Sequence, residues 1–309
     1  MASKFKLFRR KVRYNTIYRI VEFVIYISSK LPRKTWVGFC GFLGGLAFHL
    51  APKSRELTIR HLTMIYGNAK SADEIRAMAK QVFVMLGKNA SDVIRSFHEK
   101  DIEHYRKFLR VKGYEIAAEA MARGKGLVFI TAHIGSFELL ALEVSAWGFQ
   151  PYIVGEPLKD PRLNEMVVNH RQKFGGNSVD RFKDTLKIFK KLRAGAAVAL
   201  LVDQDIKIKS TITTFFGLTC ATPVGGTIMA MKSKAPVIPI FIHMNEDLTH
   251  EIQVYPEIPM ADTGNEEQDI VTNTQRINDA IEYEVRRFPT QWVWMHERWK
   301  TKPGEEIRY

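Results

Sequence analysis

Cysteine is nearly missing from this chain: 309 residues hold only Cys40 and Cys220. The two lie far apart, and neither has His, Asp or Glu at metal-ligand spacing. A disulfide framework and a zinc module are therefore excluded as organising features, and the thiols fit a reducing compartment. No small-residue cleavage site of the A-x-A kind precedes a polar start, so no cleaved signal peptide is read. Internal repeats and low-complexity linkers are also absent, which excludes solenoids and disordered arrays. Acidic residues are scarce where basic ones are dense. Residues 1–34 carry ten Lys/Arg and a single acid, Glu22. The other 275 residues hold 36 basic and 32 acidic side chains, so most of the net charge of +13 belongs to the N-terminal arm.

A basic arm suits nucleic acid or anionic lipid. The adjoining apolar residues favour lipid. After Ile20-Val21-Glu22-Phe23-Val24-Ile25-Tyr26-Ile27 comes Thr35–Pro52, eighteen residues without Lys, Arg, Asp or Glu. That length is the short limit for a spanning helix, and four glycines weaken it further. Both flanks are basic, so the charge rule gives no orientation for a single crossing. An interfacial anchor or shallow hairpin avoids the conflict, and two amphipathic helices of a soluble core are the alternative. The expected organisation is thus a membrane-anchoring segment, residues 1–54, followed by an α/β domain, residues 55–309.

The composition of the rest, 46% hydrophobic over the whole chain, provides for a sizeable core. Residues 55–123 read as helical: Ser71-Ala72-Asp73-Glu74 is a capping box that opens a helix to about Lys88, a second runs over 90–98, and a short one ends at Gly124. From Leu127 strands and helices alternate. Strands are expected at 127–131, 151–154, 196–202, 237–243 and 251–255. Helices are expected at 136–147, 161–174, 183–193, 224–233 and 266–287. This alternation predicts an α/β fold with a central mixed, mostly parallel sheet flanked by helices.

The chemistry-bearing stretch is Thr131-Ala132-His133-Ile134-Gly135-Ser136-Phe137-Glu138. It joins a buried strand to a helix start, where α/β enzymes commonly place their chemistry. A neutral imidazole near a carboxylate can take a proton from a hydroxyl. Glu138, in the first helical turn, is kept ionised by the positive helix end. Gly135 allows a sharp turn and leaves N–H groups free to face an oxyanion. A hydrogen-bonded surface histidine is the plainer reading of the same residues. Ser136 is not a nucleophile elbow, because G-x-S-x-G fails at Ile134 and Glu138.

Three further groups stand out. Asp203-Gln204-Asp205 ends the apolar run 196–202, and two carboxylates there suit a metal, a substrate or an arginine. Arg162, His170, Arg171 and Lys173, then Arg181, offer guanidinium groups for phosphates, or simply a solvated face. Near the end, Trp292, Trp294 and Trp299 are interleaved with basic residues, an arrangement that more often serves packing than ligand stacking.

Taken in order, these segments resemble the bacterial lipid A biosynthesis acyltransferases, the lauroyl/myristoyl family within the wider H-x-x-x-x-D/E acyltransferases. The resemblance includes the basic arm, Arg55 to Leu62, Thr131–Glu138 and Lys159-Asp160-Pro161-Arg162 through Arg171, Gly175-Gly176 and Arg181. It continues through Asp203-Gln204-Asp205, Phe215-Phe216-Gly217, Thr222-Pro223-Val224-Gly225-Gly226 and Ala235–Pro239. It ends on Trp294-Met295-His296-Glu297-Arg298-Trp299-Lys300-Thr301-Lys302-Pro303. Two departures, Ser136-Phe137 where the family often has Asn-Trp and Glu297 where it often has arginine, bear on the acceptor and not on the reaction type.

The resemblance implies acyl transfer from an acyl-carrier-protein thioester to a hydroxyl of a lipid A precursor. It implies no covalent intermediate, no cofactor and no metal. His133 would be the general base and Glu138 would hold its imidazole. Arg171 would meet an acceptor phosphate or the developing oxyanion, and Asp203 would orient a group near the site. Gly135, Ser136, Arg181 and Arg298 complete the expected substrate-binding set. The expected place is the bacterial inner membrane, with the catalytic domain facing the cytoplasm and no nucleic acid as partner. Competing expectations are an acyltransferase acting on a lysophospholipid or another glycolipid, a metal-dependent glycosyltransferase using Asp203 and Asp205, and a non-enzymatic basic protein that binds a membrane surface or nucleic acid.

Overall fold

A computed structural model describes residues 4–99 and 101–301; Lys302 and Pro303 of the C-terminal motif, and the side chains of Lys4, Lys6 and Arg10 in the arm, lie outside the described residues. The core is a seven-stranded sheet of order β1-β9-β8-β2-β5-β3-β4. Its strands are β1 (Leu109–Lys112), β2 (Leu127–Thr131), β3 (Tyr152–Gly155), β4 (Asn177–Asp180), β5 (Ala197–Leu201), β8 (Val237–Met244) and β9 (His250–Val254). Only β8 and β9 pair antiparallel; the other neighbours are parallel. The α/β, mostly parallel mixed sheet is as expected.

The period of two along the strands builds two cores. Leu127 and Phe129 of β2 and Ile238, Ile240 and Ile242 of β8 bury against α6 (Tyr114–Ala122) and α7 (Phe137–Val144). Val128 and Ile130, with Val237 and Phe241, bury on the other face among α9 (Thr185–Arg193), α10 (Gly225–Ser233) and α11 (Glu266–Arg287). With both faces covered, every residue of β2 is buried, so the strand shows up in the sequence as a continuous apolar run. Between β3 and β4 lies α8 (Pro161–Lys173), opened by Asp160, whose carboxylate accepts from the Arg162 N–H.

Four strands were not expected. The edge strands β1 and β4 have four residues each and are only partly buried, so neither shows an apolar run. The hairpin β6 (Ser210–Phe215) and β7 (Leu218–Pro223) is threonine-rich and packs on α11. It turns at Phe216 and Gly217, both with positive φ, which is the geometry of a tight hairpin.

Helices α1 (Lys4–Lys30), α2 (Arg33–Leu50), α3 (Pro52–Tyr66) and α4 (Ala72–Ser96) precede the sheet, and a single turn, α5 (Glu103–Arg106), leads into β1. The capping box at Ser71 and Glu74 is present. The two helices expected over 72–98 are one. Gly87 does not stop the helix, because it is a packing site: a Cβ there would stand 2.1 Å from the carbonyl oxygen of Cys40 on α2. Gly44 of α2 is its counterpart, with a Cβ 2.2 Å from the Phe83 carbonyl oxygen. The two backbones touch with no room for side chains. Gly44→Val should therefore push α2 off α4 and cost about 1–3 kcal/mol of stability, read as a fall in thermal midpoint.

The N-terminal helices are fastened to the α/β unit by charge as well. Arg33, at the start of α2, donates to both oxygens of Asp92 on α4 at 3.0 and 2.6 Å, and His250 of β9 meets Asp92 at 2.9 Å. No single helix among the described residues is long and apolar enough to cross a membrane. The pair α2 and α3, bent by 92°, passes that test only together.

Candidate active site

The parallel register of β2 and β5 sets the site. Thr131 pairs with Leu201, the last residue of each strand. The chain positions two residues further on, His133 and Asp203, therefore emerge side by side at the carboxyl end of the sheet. The His133 N–H donates to Asp203 Oδ2 and the imidazole Nδ1 contacts Oδ1, both at 2.8 Å. The indole Nε1 of Trp292 donates to the same Oδ2 at 2.8 Å.

Asp203 has no exposed surface. Burial works against its charge, but the charge and hydrogen bonds of His133 and the Trp292 indole outweigh it and hold the carboxyl well below the usual range. For His133, burial again opposes the charged form, and the Asp203 carboxylate outweighs it, so its pKa is raised from 6.5. With Nδ1–H given to the carboxylate, the neutral ring directs the lone pair of Nε2 outward.

Two residues frame that nitrogen. The Gln204 amide lies 3.4 Å from His133 Nε2 and 3.2 Å from His296 Nε2. The His296 ring stands edge-on to His133 at 4.9 Å. Burial, with the neighbouring charge of His133, pushes the pKa of His296 down to about 4, so it is neutral at physiological pH. The Phe137 ring closes the other side at 5.1 Å.

Glu138 is not the partner of His133. Arg171, from α8, grips it at two points, Nε to Oε2 at 3.1 Å and Nη2 to Oε1 at 2.6 Å. Proximity in sequence suggested the His133–Glu138 pairing. The helix that begins at Phe137 instead carries Glu138 toward α8. The carboxylate still contributes to the field that favours the imidazolium, after Asp203. Arg171 is thereby engaged internally, and its Nη1 also reaches Ser178 on β4. Because the pair acts as a unit, Glu138→Ala and Arg171→Ala should lower kcat/KM to similar extents. The double variant should lose hardly more than either single one, a coupling of about 1–3 kcal/mol by a double-mutant cycle.

The other expected contacts are placed as follows. Gly135 has φ +57, and a Cβ on it would stand 2.0 Å from the Ile242 carbonyl oxygen, so only glycine fits. Its N–H is not free for an oxyanion, since it donates to Gln291 O at 3.0 Å; the Ile134 N–H donates to Ala132 O. Ser136 is buried and donates to the Asn89 carbonyl of α4 at 2.9 Å, out of reach of a substrate. Arg181 is paired with Glu156. Arg298 is wholly buried and donates to Ala221 O, Thr222 Oγ1 and Asn278 Oδ1, tying the C-terminal segment to β7 and α11; it fastens the fold and touches no site opening.

Asp203 and Asp205 do not converge on a metal. Both oxygens of Asp203 accept hydrogen bonds, and Asp205 accepts from the Thr301 N–H at 2.7 Å. No group of three candidate ligands occurs among the described residues. The glycosyltransferase expectation loses its donor set.

Gln204, Trp292, His296 and Gln291 lie in segments noted from sequence but were given no role in the site. Residues 291–293 run beside 133–135, with Val293 N–H donating to His133 O at 3.1 Å. The Gln291 side chain bonds both N–H and C=O of Met244, each at 2.8 Å. The signal was the C-terminal tryptophan-rich motif, which reads as packing. Trp292 and Trp294 are indeed fully buried, but one of them also orders the site carboxylate.

The family model for bacterial lipid A biosynthesis acyltransferases matches residues 2–301. The chain belongs to that family. It is 27% identical over 294 residues to a lipid A biosynthesis acyltransferase of Haemophilus influenzae, covering 92% of this chain and 88% of that protein. It is 25% identical over 278 residues to the lipid A biosynthesis lauroyltransferase of Escherichia coli, 87% of each chain. It is 24% identical over 291 residues to the lipid A biosynthesis palmitoleoyltransferase of the same organism, 93% of this chain and 92% of that one. The relatives share acyl transfer while differing in the acyl group they are named for.

Proposed function

We propose that this acyltransferase moves a fatty acyl group from an acyl-carrier-protein thioester to a hydroxyl of a lipid A precursor, with His133 as general base oriented by Asp203. The observation that carries this reading is the imidazole with Nδ1–H fixed on a buried carboxylate and Nε2 directed outward. Nε2 takes the proton of the acceptor hydroxyl as its oxygen attacks the thioester carbonyl. The C–S bond then breaks, and the imidazolium returns the proton to the leaving sulfur, giving an ester and a free thiol. Asp203 stabilises the transient imidazolium without accepting its proton. The Gln204 amide, beside Nε2, marks the position the hydroxyl takes. No step calls for a metal.

The acceptor is a membrane lipid, and the surface beside the site suits one. Phe39, Phe42, Leu43, Leu46 and Leu50 form an exposed stripe on α2, opposite the Trp36, Cys40 and Phe48 face that packs inward. Ile20, Phe23 and Tyr26 are exposed on α1. Apolar faces of this extent beside a basic arm fit an interfacial anchor on the cytoplasmic face of the inner membrane. Helix α4 carries α2 and, through Asn89, holds Ser136 of the site loop.

The test incubates purified protein with acyl-carrier-protein thioesters and a panel of lipid acceptors, with product masses measured. One added acyl mass on a tetra- or penta-acyl lipid A precursor, unaffected by EDTA, is expected. Acylation of a lysophospholipid with the lipid A precursor untouched would replace the acceptor.

A further inference from the structure

The exposed face of α9 is basic to a degree that folding does not require. Lys183, Lys187, Lys190, Lys191 and Arg193 are all exposed, and none has a carboxylate partner among the described residues. The only acid on the segment, Asp184, is turned inward to accept from the Asp180 N–H. Cations in the last turn suit the helix dipole, which accounts for Lys190, Lys191 and Arg193. It does not account for Lys183 and Lys187, which sit at the positive end, where the dipole opposes them. Two large apolar side chains stand among these cations, Phe182 at 59% and Leu186 at 76% exposure. The inner face, Ile188 and Leu192, is already buried against the sheet, so these two have no part in the core.

We propose that this face of α9 is the landing surface for the acidic acyl carrier protein that presents the thioester, with Leu186 and Phe182 as the apolar centre of a lysine ring. The proposal rests on the donor assignment made above. An acidic protein is favoured over anionic lipid by position. The apolar stripe of α1 lies on the side of α8, whose Arg162 donates to Asn15 of α1 at 2.7 Å. Helix α9 lies on the opposite face of the sheet with α10. A bilayer engaged by the stripe of α1 leaves α9 to a soluble partner. The reach is also suitable. Helix α9 starts just beyond the carboxyl end of β4, in the same row of strand ends as His133. Between β2 and β4 lie three strand spacings, roughly 14 Å, which an extended phosphopantetheine arm spans. Unpaired cations around an apolar centre steer and orient an acidic partner, so the effect falls mainly on its apparent affinity.

The test compares the full chain with a Lys187→Glu, Lys190→Glu, Lys191→Glu variant and with Leu186→Ser. Donors are an acylated acyl carrier protein and the same acyl group on pantetheine; binding to phosphatidylethanolamine/phosphatidylglycerol vesicles is measured alongside. The expected result is a KM for the carrier-bound donor raised by at least about tenfold in the triple variant. Turnover on acyl-pantetheine, which also reports an intact fold, and vesicle binding stay as in the parent. In the parent, salt should raise KM for the carrier-bound donor and not for acyl-pantetheine, and this salt dependence should flatten in the variant. An unchanged KM for the carrier-bound donor overturns the docking surface, and loss of vesicle binding with that KM unchanged assigns α9 to lipid instead. No turnover of the parent with the carrier-bound donor, alongside turnover with acyl-pantetheine, would overturn the donor assignment and the docking surface together.

Discussion

Replacing His133 with alanine should lower the rate of acyl transfer about 10²–10⁴-fold, the usual contribution of a positioned base. The loss should fall on kcat, with the KM values of both substrates little changed. The ring is partly open to solvent at 22% exposure, and what it leaves behind is a carboxylate still held by the His133 N–H and the Trp292 indole. Folding should therefore survive, with a near-parent circular dichroism spectrum and thermal midpoint. Near-parent turnover in a folded His133→Ala protein would remove the general base from the mechanism.

The second large effect concerns pH. His133 works only when neutral, so activity rises with pH through its pKa. That pKa is raised from 6.5, chiefly because the Asp203 carboxylate overrides the opposing effect of burial. The acid limb of kcat should accordingly have its midpoint above 6.5. Asp203→Asn keeps the size of the side chain and removes the charge, while burial of the ring remains. The midpoint should then move below 6.5. At the optimum, kcat should drop about 10²–10⁴-fold, because the imidazole loses both its fixed tautomer and the charge that stabilises its protonated form. A Glu138→Gln protein should shift the limb much less, since Arg171 already neutralises that carboxylate at two points. If Glu138→Gln moved the midpoint as far as Asp203→Asn, the roles assigned to the two carboxylates would be exchanged.

The strand β2 and the helix after it are legible in the run Leu127–Ile130 and in Gly135, because a strand covered on both faces must be apolar throughout. Helix α11 is legible to its ends, from Asn265, which caps it, to Arg287. The edge strands β1 and β4 are not, because four half-exposed residues carry no period. The break expected just after Lys88 is not there, and α4 runs on through Gly87 to Ser96. The glycine is there because another backbone passes 2.1 Å from where its Cβ would be, a fact about α2 and not about α4.

By itself the sequence determined the buried strands and the helices that follow them, the family, and that His133 and Asp203 each stand just past the end of a buried strand. Which carboxylate holds the imidazole was decided only by the tertiary structure. Glu138 is five positions away along the chain but turns with α7 to face Arg171. Asp203 is seventy positions away, yet β2 and β5 are neighbours in register, with β3 and β4 formed in between and placed outside them. Strand order is set by crossovers that bury both faces of the sheet, and those depend on contacts between distant segments. Local spacing therefore pointed to the nearer acid, and the sheet chose the farther one.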